Sequence, residues 1–465
     1  MADTEFDSPT DAAQQLAKIL KFLEQDSIQF KDIKKPVKGT SVDEKNTVSL
    51  IPQPQIPVLD FETWRKNRSD LSKEFATYGI QSGFVPGRRS IIGGNPITLE
   101  TALEIRNIVN GSAIHSLSTE WKKSAITFYY LDSSFPYGLQ TQRGCGSKSL
   151  LLCIQAFILK HLLFTTRDEA NLLAISPLTP SESERNMALV QALAEILWTA
   201  GEKKRCCICL QLADVCFDTN YRYRPDGITE RIYVFEFDLF ESVKLFLKRH
   251  IDEFMRLNGC GCLLFLYSLI LSRTVRRIKE DMGNYNQAKL LTDMEDCSQC
   301  LINLILTGRS VQYLHNGDIL YDKYGELLSN PSNGVKERSK MGFLYWNKRE
   351  DDDRRTQVGS MLKTPKYPIW LTSINDQIGL LFSTNIDLIS DWRTEHRFTL
   401  QYYTGLPSHT KTTILSIDTL QFKRRPRTAR LTAREEEKKV PALEQCINTK
   451  WYGANIHWNG TLPYI

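Results

Sequence analysis

The residues best placed for chemistry lie in Tyr137-Gly-Leu-Gln-Thr-Gln-Arg-Gly-Cys-Gly-Ser-Lys-Ser149, which runs into the apolar stretch Leu150 to Phe164. A glycine-rich turn opening a buried helix is where many cysteine hydrolases hold a nucleophile, because the positive end of the helix dipole favours thiolate over thiol. Cys145 is the thiol in this turn. It would need a general base within hydrogen-bond reach. Seven histidines are present, His115, His161, His250, His315, His396, His409 and His457, and none lies in a local pattern that marks it as that base.

Other clusters invite chemistry less strongly. Cys206-Cys207-Ile208-Cys209 with Cys216, and Cys297-Ser-Gln-Cys300 with Cys260-Gly-Cys262, suggest zinc, but paired and regularly spaced knuckles are lacking. Buried apolar thiols are the better reading. Lys423-Arg-Arg-Pro-Arg427 with Arg430 is the densest basic cluster, and Arg434-Glu-Glu-Glu-Lys-Lys439 follows at once. Local charge balance favours a solvated loop over a nuclear-localisation or nucleic-acid patch. Lys348 to Arg355 reads as an exposed connection. No phosphate-binding loop, dinucleotide fingerprint or metalloprotease motif occurs, so no cofactor and no metal are expected.

These residues need elements to position them. Leu16, Ile19, Leu20 and Leu23 share one face of a short helix within Asp11 to Gln25, and Pro36, Pro52, Pro54 and Pro57 then mark a linker. The expected division is 1–59, an N-terminal helix and linker, and 60–465, a folded domain with a charged loop at 423–440. Helices are predicted from Thr98 to Val109, from Asn186 to Thr199 and from Phe240 to Arg256. The apolar run Cys260 to Ser272 predicts a core helix, too short to span a bilayer. Strands are predicted at Phe128-Tyr129-Tyr130, Ile232 to Phe237, Pro368 to Thr372, Gly379 to Ser383, Phe398 to Tyr403 and Thr412 to Ile417, with Ser373 to Ile378 as a polar connection. Helices dominate the first part and strands the second, an α+β pattern.

Composition sets bounds. The chain has 465 residues, 42% of them hydrophobic, and a net charge of +5, so it can bury a large core while no global field commits it to nucleic acid or membrane. The acidic start Met1 to Asp7 lacks the features of a secretory signal, and eleven irregularly spaced cysteines fit a reducing, cytosolic or nuclear compartment.

The ordered set Gly93-Gly-Asn-Pro-Ile97, Trp121, Gly138 to Phe164 with Gln155-Ala156, Ser268-Leu-Ile-Leu-Ser-Arg273, Leu306-Thr-Gly-Arg309, Gly342-Phe343, Lys363 to Trp370 and Trp458-Asn-Gly460 resembles the MINDY deubiquitinases, nearest their third and fourth subfamilies. The resemblance covers about Gly93 to Ile465. It implies a cysteine-peptidase-like fold and, as partner, ubiquitin or polyubiquitin joined through lysine 48. The family's nucleophile sits in a Gly-Gly-Pro-Cys-Gly turn, six residues after a glutamine of the oxyanion hole. Counting forward from Gly138 puts Ser147 and Thr141 at those two positions; counting back from Gln155-Ala156 puts Lys148 and Gln142 there. Neither count selects Cys145. The family's histidine lies in a stretch that follows its Pro-Ile-Trp strand, and the ungapped spacing from Pro368-Ile-Trp370 to Ile378-Gly-Leu-Leu-Phe382 puts Gln377 at its position.

The resemblance therefore implies a preserved frame without its chemistry. A serine hydroxyl needs a strong adjacent base, a lysine amine needs strong desolvation, and a glutamine has no titratable nitrogen. Two alternatives stay open: a residually active thiol peptidase using Cys145, and a nuclear interaction protein acting through Lys423 to Arg430.

Overall fold

The computed structural model describes residues 93–463, apart from 132, 134, 142–145, 166–178, 284–288, 322–323, 351–355, 407–410 and 421–439. The described residues fall in the compact unit Ser72–Ile465. The expected N-terminal helix, the linker, the start of the domain near Asp60 and nearly all of the charged loop lie outside them.

The two-residue strand β1 (Asn95–Pro96) leads into α1 (Leu99–Asn110), whose N-cap Thr98 accepts a bond from the Thr101 amide. Next come α2 (Thr119–Lys122), α3 (Ser147–Phe164) and α4 (Glu182–Ala200). Helix α4 begins four residues before the expected Asn186, because Ser181 and Glu184 close a reciprocal capping box. Then follow β2 (Cys206–Gln211), β3 (Ile232–Phe237), α5 (Phe240–Met255), α6 (Gly261–Arg273), α7 (Val275–Asp281) and α8 (Gln299–Thr307). The second part holds β4 (Asp318–Tyr321), β5 (Leu327–Asn333), β6 (Gly342–Trp346), α9 (Ser360–Lys363), β7 (Ile369–Ile374), β8 (Gln377–Phe382), β9 (Arg397–Tyr403), β10 (Thr413–Asp418), α10 (Ala442–Asn448) and β11 (Asn455–His457). The mixture is α+β, helical first and strand-rich second.

Two strand expectations need correction. Within Phe128 to Tyr130 only Phe128 pairs, as an isolated bridge to Leu139, and Tyr130 is 78% exposed. Aromatic residues favour strands where their side chains find packing, and here Phe128 and Tyr129 reach the core while Tyr130 does not. The connection between β7 and β8 is not Ser373 to Ile378 but the pair Asn375-Asp376. Both take positive φ, 49° and 67°, as a two-residue hairpin turn matched to strand twist requires.

The main sheet has the order β11-β10-β9-β8-β7-β6, antiparallel except for the parallel pair β6–β7. Strand alternation divides its side chains between two cores. Phe343, Ile369, Leu371, Ile378, Leu380, Phe382 and Tyr403 join the helical core, and Leu344, Trp370, Ile374, Leu381, Leu400 and Tyr402 join a smaller core under α10 and Trp451. Helix α3 lies against β7 and β8. By length and composition α3 could cross a membrane, but 89% of it is buried inside the protein, so it is the central helix of the core.

Among the described residues the smaller sheet, in the order β1-β3-β2, leaves one edge of β2 without a strand partner. Helix α6 covers that edge. Ser272 Oγ accepts from the Cys207 amide at 2.9 Å and Ser268 Oγ from the Cys209 amide at 2.8 Å. Serines four apart share a helix face, and amides two apart share a strand edge, so the two periods match. Ser272→Ala strands a buried N–H and is expected to cost about 1–3 kcal/mol, read as a lower urea midpoint. A wild-type midpoint would contradict this bond's role.

Candidate functional site

The start of α3 is held by a close backbone approach at Gly146. Trp121, fully buried, donates its indole N–H to the Glu295 carbonyl at 2.9 Å. Gly146 lies against the same carbonyl, where a Cβ would come within 1.8 Å of the oxygen. The Glu295 carboxylate accepts from the Ser118 amide at 3.0 Å, which ties this segment to the start of α2. The side chain of Gln155 clamps the segment Tyr137 to Leu139 that leads toward the helix. Its carbonyl accepts from the Leu139 amide at 2.8 Å and its amide donates to the Tyr137 carbonyl at 3.0 Å.

Ser147, the first residue of α3, is fully buried. Its hydroxyl lies 2.7 Å from that of Ser124, which in turn donates to Cys262 Sγ at 3.3 Å. A hydroxyl neighbour is no general base at neutral pH. Lys148 is half-buried, and burial pulls its amine below the ordinary lysine value while the charge of Asp296 pulls it up. Thr141 is buried and donates its hydroxyl to the Gly405 carbonyl. Gln142 and Cys145 lie outside the described residues.

Gln377 is the exposed first residue of β8. The register Leu380↔Tyr403 carries the start of β8 toward the end of the sheet where Gly405 follows β9. A Cβ on Gly405 would meet Leu152 of α3. Thr141 and α3 therefore meet the chain at Gly405, beyond the end of β9, and β8 begins toward that same end of the main sheet, whereas the sequence separates Thr141 from Gln377 by more than 200 positions.

The remaining candidates disperse. His161 lies fourteen residues beyond Ser147 on α3, about 21 Å at 1.5 Å per residue, and bonds Glu195. Cys260 meets Gln211, Cys262 meets Ser124, and Cys297 faces the Gly146 carbonyl. Burial raises the thiols of Cys260 and Cys300 to about 11, as expected of packed, unreactive cysteines. Among the described residues no three His, Cys, Asp or Glu side chains could together hold a metal. Sequence reasoning missed Ser124 and Glu295, whose roles arise from contacts more than twenty residues away along the chain.

Residues 106–460 match the conserved domain of the deubiquitinating enzymes MINDY-3/4. The chain belongs to the MINDY-3/4 family. It is 35% identical over 381 residues to the probable ubiquitin carboxyl-terminal hydrolase MINDY-4 of Xenopus tropicalis, covering 82% of this chain and 48% of that one. The human MINDY-4 is 33% identical over 370 residues, 80% of this chain and 46% of the relative. The ubiquitin carboxyl-terminal hydrolase MINDY-3 of Danio rerio is 26% identical over 273 residues, 53% and 57%. The chain thus spans about half the length of the MINDY-4 relatives it matches. No solved structure matches it.

Proposed function

We propose that this MINDY-3/4 family chain is a pseudoenzyme, an inactive B-type member of the fourth subfamily. It keeps a cysteine-peptidase-like scaffold and binds ubiquitin chains without cleaving them, lysine-48-linked chains foremost. The observation that carries this reading is the first turn of α3, where Ser147 is sealed from solvent and bonded to Ser124. In the alternative register, Lys148 has no described histidine beside it, only the charge of Asp296. Gln377 supplies no proton acceptor in either case. Loss of nucleophile and base together leaves binding and residual polarisation.

The test is incubation of the purified full chain with lysine-48-linked tetraubiquitin, alongside a titration of mono- and diubiquitin. Intact tetraubiquitin with saturable binding is expected, and Ser147→Cys alone should remain inactive. Cleavage abolished by Cys145→Ala would overturn the reading in favour of a thiol peptidase. Intact tetraubiquitin without binding would remove the ubiquitin-reading role.

A further inference from the structure

Away from the α3 turn, a recess of about 310 Å³ opens where α7, α8 and the root of the β4–β5 hairpin meet. Its carboxylates already have cations. Arg273, buried, joins Glu202 at 2.7 Å and Asp281 at 2.8 Å. Arg277 takes the other Glu202 oxygen at 2.7 Å, so one carboxylate serves two guanidinium groups. Glu280 is held by Arg276 at 2.9 Å, and Lys336 by Asp318 at 2.5 Å.

Arg309 is the exception. Its side chain lines the recess and is exposed, and it makes no ion pair with any described residue. Its backbone is pinned: Gly308 ends α8 with φ at 79°, the Ser310 amide bonds Asp281 at 3.0 Å, and Ser310 Oγ bonds the Cys300 carbonyl at 3.2 Å. The negative end of α8 offsets part of the charge but fills none of the guanidinium's paired donors. A carboxylate would fill them in the bidentate geometry.

The surroundings say how that carboxylate arrives. Asn333 lines the recess and pairs with Asp318 at the root of β4–β5, a two-stranded sheet on which Ile319, Leu320, Tyr321 and Leu327 are 44–71% exposed. A free metabolite would leave that apolar surface in water, whereas an extended protein segment covers both. We propose that the recess binds a carboxylate side chain on an acidic–apolar segment of a partner protein, with Arg309 as its principal contact and the hairpin receiving the apolar side chains.

The test uses the full chain and a fluorescein-labelled peptide of alternating glutamate and leucine, followed by anisotropy. Binding is expected to weaken about tenfold or more with the glutamine–leucine counterpart and with Arg309→Glu, and less with Arg309→Lys. Hexaglutamate should bind more weakly than the leucine-bearing peptide, and Tyr321→Ser should narrow that difference. Arg309 is exposed, so unchanged thermal unfolding of its variants keeps the comparison one of binding. Equal affinity for both leucine peptides, or affinity indifferent to Arg309→Glu, would overturn the site. Equal affinity for hexaglutamate would overturn the segment assignment.

Discussion

Glu195→Gln is expected to destabilise the fold by about 3–5 kcal/mol, the usual consequence of removing one partner from a buried ionic network. Glu195 lies on α4 where it meets α3 and is about nine-tenths buried. Its oxygens receive Lys160 Nζ at 2.7 and 2.8 Å, His161 Nε2 at 2.8 Å and the ammonium of Lys340. Burial alone would raise this carboxyl. The bond from His161 and the charges of Lys340 and Lys160 reverse that and hold it well below the usual range. Burial lowers Lys160 and His161 as well, each only partly offset by Glu195. The carboxylate is the favoured partner, because it collects three donors while Lys160 must share one acceptor against the charge of Lys340.

Glutamine keeps the shape and one carbonyl acceptor but leaves two ammonium groups without a counter-charge. Urea unfolding at neutral pH measures the loss, and a wild-type midpoint would show that the network stabilises nothing. Lys160→Met added to Glu195→Gln should recover part of it, a non-additivity that a double-mutant cycle reads directly. The pH dependence follows from the sign of the shift. A depressed carboxylate contributes fully above the unfolded glutamate value of about 4.3, and the contribution fades as pH falls toward the lower native value. The wild type should therefore lose stability in acid faster than Glu195→Gln, and the gap between them should close.

Periodicity made much of this fold legible. The strand-like run Pro368-Ile-Trp-Leu and the apolar run from Cys260 are so uniformly hydrophobic that only a core strand and a core helix accommodate them, and both are present. Helix α1 announced its start through Thr98. Long-range partners were not legible. Glu295 reads as one acidic residue in a polar turn, yet its carbonyl holds Trp121 across 174 positions. Glu195 sits in an alanine-rich helix with nothing nearby to say that two ammonium groups and an imidazole converge on it. The segment Ser268 to Arg273 belongs to the family resemblance, but what its two serines do appears only once β2 is seen at the edge of its sheet. The candidate site follows the same division. Two registers left Ser147 and Lys148 undecided, since counting residues carries no information about which side chain the turn buries.

Gly146→Ala is expected to cost about 2–5 kcal/mol, combining overpacking with a strained or broken indole bond. The cause is contact and not conformation, because Gly146 has φ of −61°, which any residue adopts. An alanine methyl would lie 1.8 Å from the Glu295 oxygen and 3.0 Å from Trp121 Nε1, and neither backbone nor a fully buried indole can yield cheaply. Either the Glu295 segment withdraws, taking the acceptor from Trp121 and the carboxylate from Ser118, or the start of α3 tips and disturbs the Ser124–Ser147 bond. A lowered thermal midpoint with a changed near-ultraviolet tryptophan signal is the expected readout. Wild-type values for both would mean that the approach is looser than described. The constraint acts on the backbone of residue 146 and is indifferent to the side chain at 147. A helix start held in this way does not depend on which side chain follows it, so under the proposed reading the frame can persist without the chemistry.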